Sequence, residues 1–332
     1  MLHPVEITEE VGISQASTTL PRPAVVEILL QNGRCLKVSI DVQLKLLTSR
    51  VACLDAAWAF GECACLSGLR GDGYPVQPQD FDKEVFMTEA NLYRPINTLK
   101  PVCDDVWIVD GPAIDFGPPL VKMSFPTRMT IVRLRGRDLL IHSPTPLTAA
   151  LKAEVAAIGT PRWIIGPNKI HYWWIADWHA GFPAAVIYLA AGIVERAGER
   201  ISFPHFPLDA RCGYPWDDEI ATLPIAGSFM TEVEFFHRAS RTLVLTDFIE
   251  NFEPHKLTFW TRLLTRLGGV SDPDGQMPRD LRLTFSRRRD ALKQAVEEMI
   301  AWEPERVILA HGRWYRSNGA GELRRAFRWL LR

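Results

Sequence analysis

The segment that most constrains the fold runs from Trp163 to Gly192, Trp-Ile-Ile-Gly-Pro-Asn-Lys-Ile-His-Tyr-Trp-Trp-Ile-Ala-Asp-Trp-His-Ala-Gly-Phe-Pro-Ala-Ala-Val-Ile-Tyr-Leu-Ala-Ala-Gly. An apolar strand at 162–165 stops at Gly166-Pro167-Asn168, a run of turn-forming residues. A stretch dense in Trp and His follows, and a second apolar strand at 184–189 begins after Pro183. The pattern predicts a strand–turn–helix–strand unit. In open α/β sheets the turn leaving a strand's carboxyl end is where ligands bind, and His171, Asp177 and His179 lie just beyond this one. Asp177 and His179 fall on the helix and are expected on its surface.

The flanking sequence carries the same alternation of strands and helices. Strands are predicted at 106–109, 129–134, 139–142, 221–225, 231–236, 242–245 and 306–310. Helices are predicted at 147–158, near Thr145 or Thr148 and closed by Gly159, and at 255–267, 287–301 and 321–331. Hairpins mixed with βαβ units, and helices enough to cover two sheets, predict a four-layer α/β sandwich over residues 92–332. Residues 66–91 are rich in Gly, Pro and Asp without periodicity and are read as a linker. Residues 1–65 form a separate N-terminal segment. Within it Val26, Ile28 and Leu30 alternate, as do Leu36, Val38 and Ile40, around Asn32-Gly33. Only a three-residue loop, with Gly33 at positive φ, pairs Leu30 with Leu36 and Ile28 with Val38. Asp41 then opens a helix carrying Leu44, Leu47, Val51 and Leu54.

Charge and cysteine use narrow the function. A formal net charge of -1 offers no general attraction to nucleic acid or anionic membrane. The first residues lack the basic and apolar regions of a signal peptide, and the longest apolar run, 182–194, is too short to span a bilayer. The six Cys (35, 53, 63, 65, 103 and 212) show no C-x-x-C pair, and most are expected to be small buried groups in a reducing, cytoplasmic setting.

Several separated phrases then resemble one family. They are Leu139-Leu140-Ile141-His142-Ser143-Pro144, Gly166-Pro167-Asn168 with His171, Phe182-Pro183-Ala184-Ala185, the run from Thr231 to Leu243, Thr246-Asp247, and Ala310-His311-Gly312. Together they resemble a widespread family described as a domain of unknown function, itself distantly similar to the metallo-β-lactamase fold. The resemblance implies an αββα sandwich with its site where strand ends converge. In that superfamily, metals sit on a His-x-His-x-Asp-His turn, a later His, an Asp closing a strand and a final His. Here the turn reads Asn168-Lys169-Ile170-His171-Tyr172-Trp173, so its spacing is broken, and no His stands near Gly227-Ser228. Asp247 matches the Asp closing a strand and His311 the final His, while His142 stands where an Asp is often found.

The resemblance therefore implies at most one metal, zinc or iron, on His171, Asp247 and His311, with His142 and Asn168 as additional candidates. Such an ion would activate water for hydrolysis of an unidentified small-molecule ester, thioester or phosphoester. The other reading is a degenerate, metal-free member acting as a binding or scaffold module. The N-terminal run Val26-Glu27-Ile28-Leu29-Leu30-Gln31-Asn32-Gly33-Arg34-Cys35-Leu36-Lys37-Val38, with Asp41 and its Leu-rich helix, is similar to small accessory proteins of a transposon (insertion-sequence) family. It implies a transposon remnant joined to an unrelated domain. The Arg- and Trp-rich recognition part is missing, so no specific nucleic-acid binding is expected.

Overall fold

The computed structural model describes residues 25–29, 35–39, 92–116 and 123–332. The chain divides into two units, Met1–Gly68 and Leu69–Arg332. In the first, β1 (Val25–Leu29) and β2 (Cys35–Ser39) pair antiparallel. Ile28 pairs with Leu36 and Val26 with Val38, so the expected register is wrong by two residues. Alternation in sequence fixes which residues share a face, and a slip of two preserves that; loop length sets the rest. The Gly33 turn, the helix after Asp41 and the linker at 66–91 lie outside the described residues.

The second unit opens with β3 (Lys100–Cys103), β4 (Val106–Phe116), β5 (Met123–Arg133) and β6 (Asp138–His142). There follow α1 (Ala149–Ile158), β7 (Thr160–Gly166), α2 (Ile175–Gly181), β8 (Val186–Leu189), α3 (Ile193–Ala197) and β9 (Phe206–Pro207). These seven strands lie in one sheet in chain order, antiparallel as far as β6 and parallel from β6 to β9. The strand expected at 106–109 runs on to Phe116. Gly111-Pro112 interrupts its alternation, and the chain absorbs them in a bulge between Asp110 and Ala113 instead of ending there. Thr148 caps α1, its hydroxyl accepting the Leu151 N–H at 3.1 Å.

The second sheet holds β10 (Ile220–Ala226), β11 (Thr231–His237) and β12 (Thr242–Leu245), antiparallel to one another, and β13 (Arg306–Leu309), parallel to β12. Between β12 and β13 lie α4 (Phe259–Gly268), α5 (Arg279–Leu283) and α6 (Arg289–Ala301); α7 (Gly319–Ala326) and α8 (Arg328–Leu331) follow. Three helices differ from expectation. Residues 254–256 and 286–288 are single 3₁₀ turns, so α4 and α6 start later, and the closing helix is broken at Phe327.

Side-chain alternation shows why the layers stack. Val233, Phe235, Val244 and Ile308 enter a core shared with β4–β8, α1 and α2. Their neighbours Phe236, Leu243, Leu245, Val307 and Leu309 enter a second core with α6 and α7. A sheet whose successive residues feed two cores is covered on both faces. With α1 and α2 packed on β7, the order is helices, sheet, sheet, helices: the four-layer αββα sandwich expected. The turns after β7, β12 and β13 carry His171, Asp247 and His311.

Candidate metal centre

His171, Asp247 and His311 are separated by long stretches of chain, and the strand ends bring them together. One ligand atom from each lies within 4.8 Å of the others, and all three residues are buried. His171 Nε2 is 3.2 Å from Asp247 Oδ2, and His311 Nε2 is 3.2 Å from Asp247 Oδ1. The two Nε2 atoms are also 3.2 Å apart. Among the described residues this is the one such group of His, Cys, Asp and Glu.

Each member is held from behind. His171 Nδ1 shares a hydrogen bond of 2.7 Å with Ser143 Oγ, at the end of β6. His311 Nδ1 lies 2.7 Å from the Pro126 carbonyl of β5. A carbonyl only accepts, so His311 Nδ1 carries a proton. Asn168, in the turn after β7, donates to Asp247 Oδ2 at 2.6 Å, and its Oδ1 accepts the Ile170 N–H. Glu232 of β11 accepts the backbone N–H groups of Thr246, Asp247 and Phe248, fixing the turn that follows β12. Arg128 is buried on β5, paired with Asp110, and donates to the carbonyls of Leu309 and Gly312 at 2.6 and 2.8 Å. It thereby clamps both sides of His311. Such partners fix ring and carboxylate orientation, the task of the outer shell in metal sites.

The charges are strongly coupled. Burial opposes the Asp247 charge, but the His171 and His311 imidazoles, by charge and hydrogen bond, hold its carboxyl far below the usual range. Burial likewise opposes a charged His311, and its bond to Asp247 outweighs that and raises its pKa. Burial, and behind it the Asp247 charge, raises Glu232.

Not every sequence candidate joins the group. Asn168 reaches Asp247 through its amide nitrogen, a donor, so it positions the carboxylate and is no ligand in this arrangement. His142 stays outside. Its ring packs edge-on against Phe235 at 5.2 Å, its Nε2 has no partner, and burial, then the nearby His171, pushes its pKa down to about 3. Asp177 is exposed on α2, and His179 packs against Phe203 with a ring separation of 4.4 Å. His237 bonds Ser240 Oγ across the turn that ends β11. Of the cysteines whose side chains are described, Cys103 is half-buried and Cys212 exposed. Ser143, Glu232 and Arg128 were missed by sequence reasoning.

Residues 104–259 match a family model described as a domain of unknown function (DUF4336). The DUF4336 span includes Asn168, His171 and Asp247, stops before His311, and covers none of the N-terminal transposon-like run. No curated protein matches the sequence significantly. Among solved structures, the DIM-1 metallo-β-lactamase is 12% identical with a TM-score of 0.48, over 70% of this chain and 96% of that one. The metallo-β-lactamase FIM-1 from Pseudomonas aeruginosa, in its mono-zinc form, is 12% identical with a TM-score of 0.46, over 71% and 96%. A metallo-β-lactamase from Hirschia baltica is 16% identical with a TM-score of 0.45, over 68% and 96%.

Proposed function

We propose that His171, Asp247 and His311 hold one metal ion, zinc or iron, and that the sandwich carries a reduced, single-metal hydrolase site. The convergence of three buried ligand atoms carries the reading. His311 Nε2 lies 3.2 Å from both Asp247 Oδ1 and His171 Nε2. Protons on both Nε2 atoms would satisfy Asp247 and set two N–H groups against each other. A cation in the middle satisfies all three. Ligands about 2.0–2.1 Å from a four-coordinate zinc are on the order of 3.3 Å apart, close to what is found here. Two imidazoles and a carboxylate are an ordinary donor set for zinc or iron and leave a position open.

When bound, the ion would supply a lowered water pKa and polarisation of a carbonyl or phosphoryl oxygen. The chain's own residues do the positioning. Ser143 and the Pro126 carbonyl hold the rings, Asn168 turns the carboxylate, and Arg128 and Glu232 pin the two turns that carry His311 and Asp247. The substrate class fits an ester, thioester or phosphoester of a small molecule.

One observation favours the alternative, a metal-free binding or scaffold module: the turn Asn168-Lys169-Ile170-His171-Tyr172-Trp173 has lost the ligand spacing of the family it resembles. The test is metal content. Protein purified without chelator should carry about one ion per chain, and ion at a thousand times its dissociation constant should add about 4 kcal/mol of stability. Asp247→Ala and His311→Ala should each abolish that gain, and the double variant should lose no more, because the loss is shared. A folded wild-type protein that shows no shift with zinc, ferrous or manganous ion leaves the metal-free module standing.

A further inference from the structure

A cleft of about 740 Å³ opens where the C-terminal end of α4, the 269–279 loop and the end of the chain meet. Arg262, Arg266, Arg279, Arg328 and Arg332 line it against two carboxylates, Asp272 and Asp274. Five arginines thus face two aspartates, in a chain whose formal net charge is -1. Both carboxylates are already engaged at one edge. Asp274 takes Arg325 at 2.7 Å and Arg328 at 2.8 and 2.5 Å. Asp272 takes the Asn251 amide at 2.9 Å and Arg313 at 3.3 Å.

Arg262 donates Nε to the Leu257 carbonyl and keeps its other N–H groups free of carboxylates. Among the described residues, no ion pair involves Arg266, Arg279 or Arg332. Beneath them Arg282 is half-buried, donating to the Met277 carbonyl and Gln276 Oε1 and lying over the Trp329 ring at 4.5 Å. Burial, then Arg279 and Arg328, lowers its pKa to about 10. Every cation lining the cleft is Arg and none is Lys, which suits planar, bidentate recognition of phosphate oxygens. The volume exceeds the needs of one phosphate and lies within the range of small-molecule cavities.

We propose that this cleft binds a phosphate-rich anion of the di- or triphosphate class, gripped by Arg262, Arg266 and Arg279. The site is independent of the metal reading and stands on different residues. Phosphate of the same chemistry is also presented by lipid headgroups, and α4 exposes Phe259, Leu263 and Leu267 beside its arginines. The experiment therefore has two arms. Full-length protein, stripped of metal and dialysed so that no ion can bridge, is titrated calorimetrically with inorganic tripolyphosphate. The same protein is sedimented with phosphatidylglycerol and with phosphatidylcholine vesicles.

Saturable one-to-one tripolyphosphate binding is expected, weakening as salt rises. Arg266→Gln with Arg279→Gln should raise the dissociation constant by about tenfold or more. Both side chains are exposed, so the fold should survive the change. Arg211→Gln, a surface arginine paired with Glu298, should leave binding unchanged. Phosphatidylglycerol binding that needs the same two arginines, without tripolyphosphate binding, assigns the cleft to a single headgroup phosphate and overturns the di- or triphosphate reading. No binding of either probe at millimolar concentration, or binding indifferent to the double variant, overturns it.

Discussion

Glu232 and Glu234 stand two positions apart on β11, both without exposed surface, in opposite company. Glu232 collects three backbone N–H groups; both oxygens of Glu234 lack any hydrogen-bond partner. Burial, and then the Glu232 charge, raises the Glu234 pKa well above the usual 4.5. A raised carboxyl pKa means that the stability it contributes is full below about pH 4.5 and is lost as pH rises toward the folded value. Glu234→Gln, which does not titrate, should therefore be more stable than wild type at pH 7 by about 1–3 kcal/mol. The gap should close toward pH 4.5, as read by urea denaturation across pH; a gap independent of pH would show that Glu234 does not titrate in this range. Neither glutamate's role was legible. In Thr231-Glu232-Val233-Glu234-Phe235-Phe236 a period-two reading places the charged positions toward solvent, but here helices cover that face as well. His171, Asp247 and His311 were singled out through the family resemblance, and their convergence in space follows from strands that share an edge. His142 obeys the same rule, yet it packs into the core, since residue type and strand position do not set side-chain direction.

At the level of elements, the turn after β13 shows how little backbone freedom the candidate site allows. Gly312 has φ of 87°, where side chains are rarely tolerated, and a Cβ added there would run into the Asn251 carbonyl. That carbonyl accepts the Arg313 N–H, and Asn251 N–H reaches the His311 carbonyl, so the turn is locked on both sides of Gly312. Gly312→Ala should thus combine backbone strain with a clash and cost about 2–4 kcal/mol in chemical denaturation. The displacement should also reach His311, so ion-dependent stabilisation should weaken beyond the loss of global stability. A full ion response in a merely destabilised Gly312→Ala protein would separate the turn from the site. Strands and helices themselves were mostly readable, because alternation and caps such as Thr148 are local. Their ends were not. Thr258, whose hydroxyl accepts the Thr261 N–H, starts α4 after the 3₁₀ turn at 254–256, and a sequence holding several candidate caps does not reveal which is used.

Over the whole molecule, the linker read from composition at 66–91 and the division into two units draw the boundary at different places. The two large cores draw on residues from Leu99 to Leu331, and a small one begins at Leu92. The second unit, however, begins at Leu69, inside the stretch read as a linker. Low periodicity in sequence cannot separate a linker from an irregular segment that packs, because irregular segments are held by contacts that have no repeat. Two truncations decide between them. A chain starting at Leu92 keeps every described core residue of the sandwich, so it should be soluble, unfold in one transition and keep its Tm within about 3 °C of full length, a shift worth roughly 1 kcal/mol at this size. A chain starting at Leu69 should then behave identically. Should the Leu92 chain aggregate while the Leu69 chain melts like the full protein, residues 69–91 form part of the sandwich's fold, and the boundary drawn from composition is wrong.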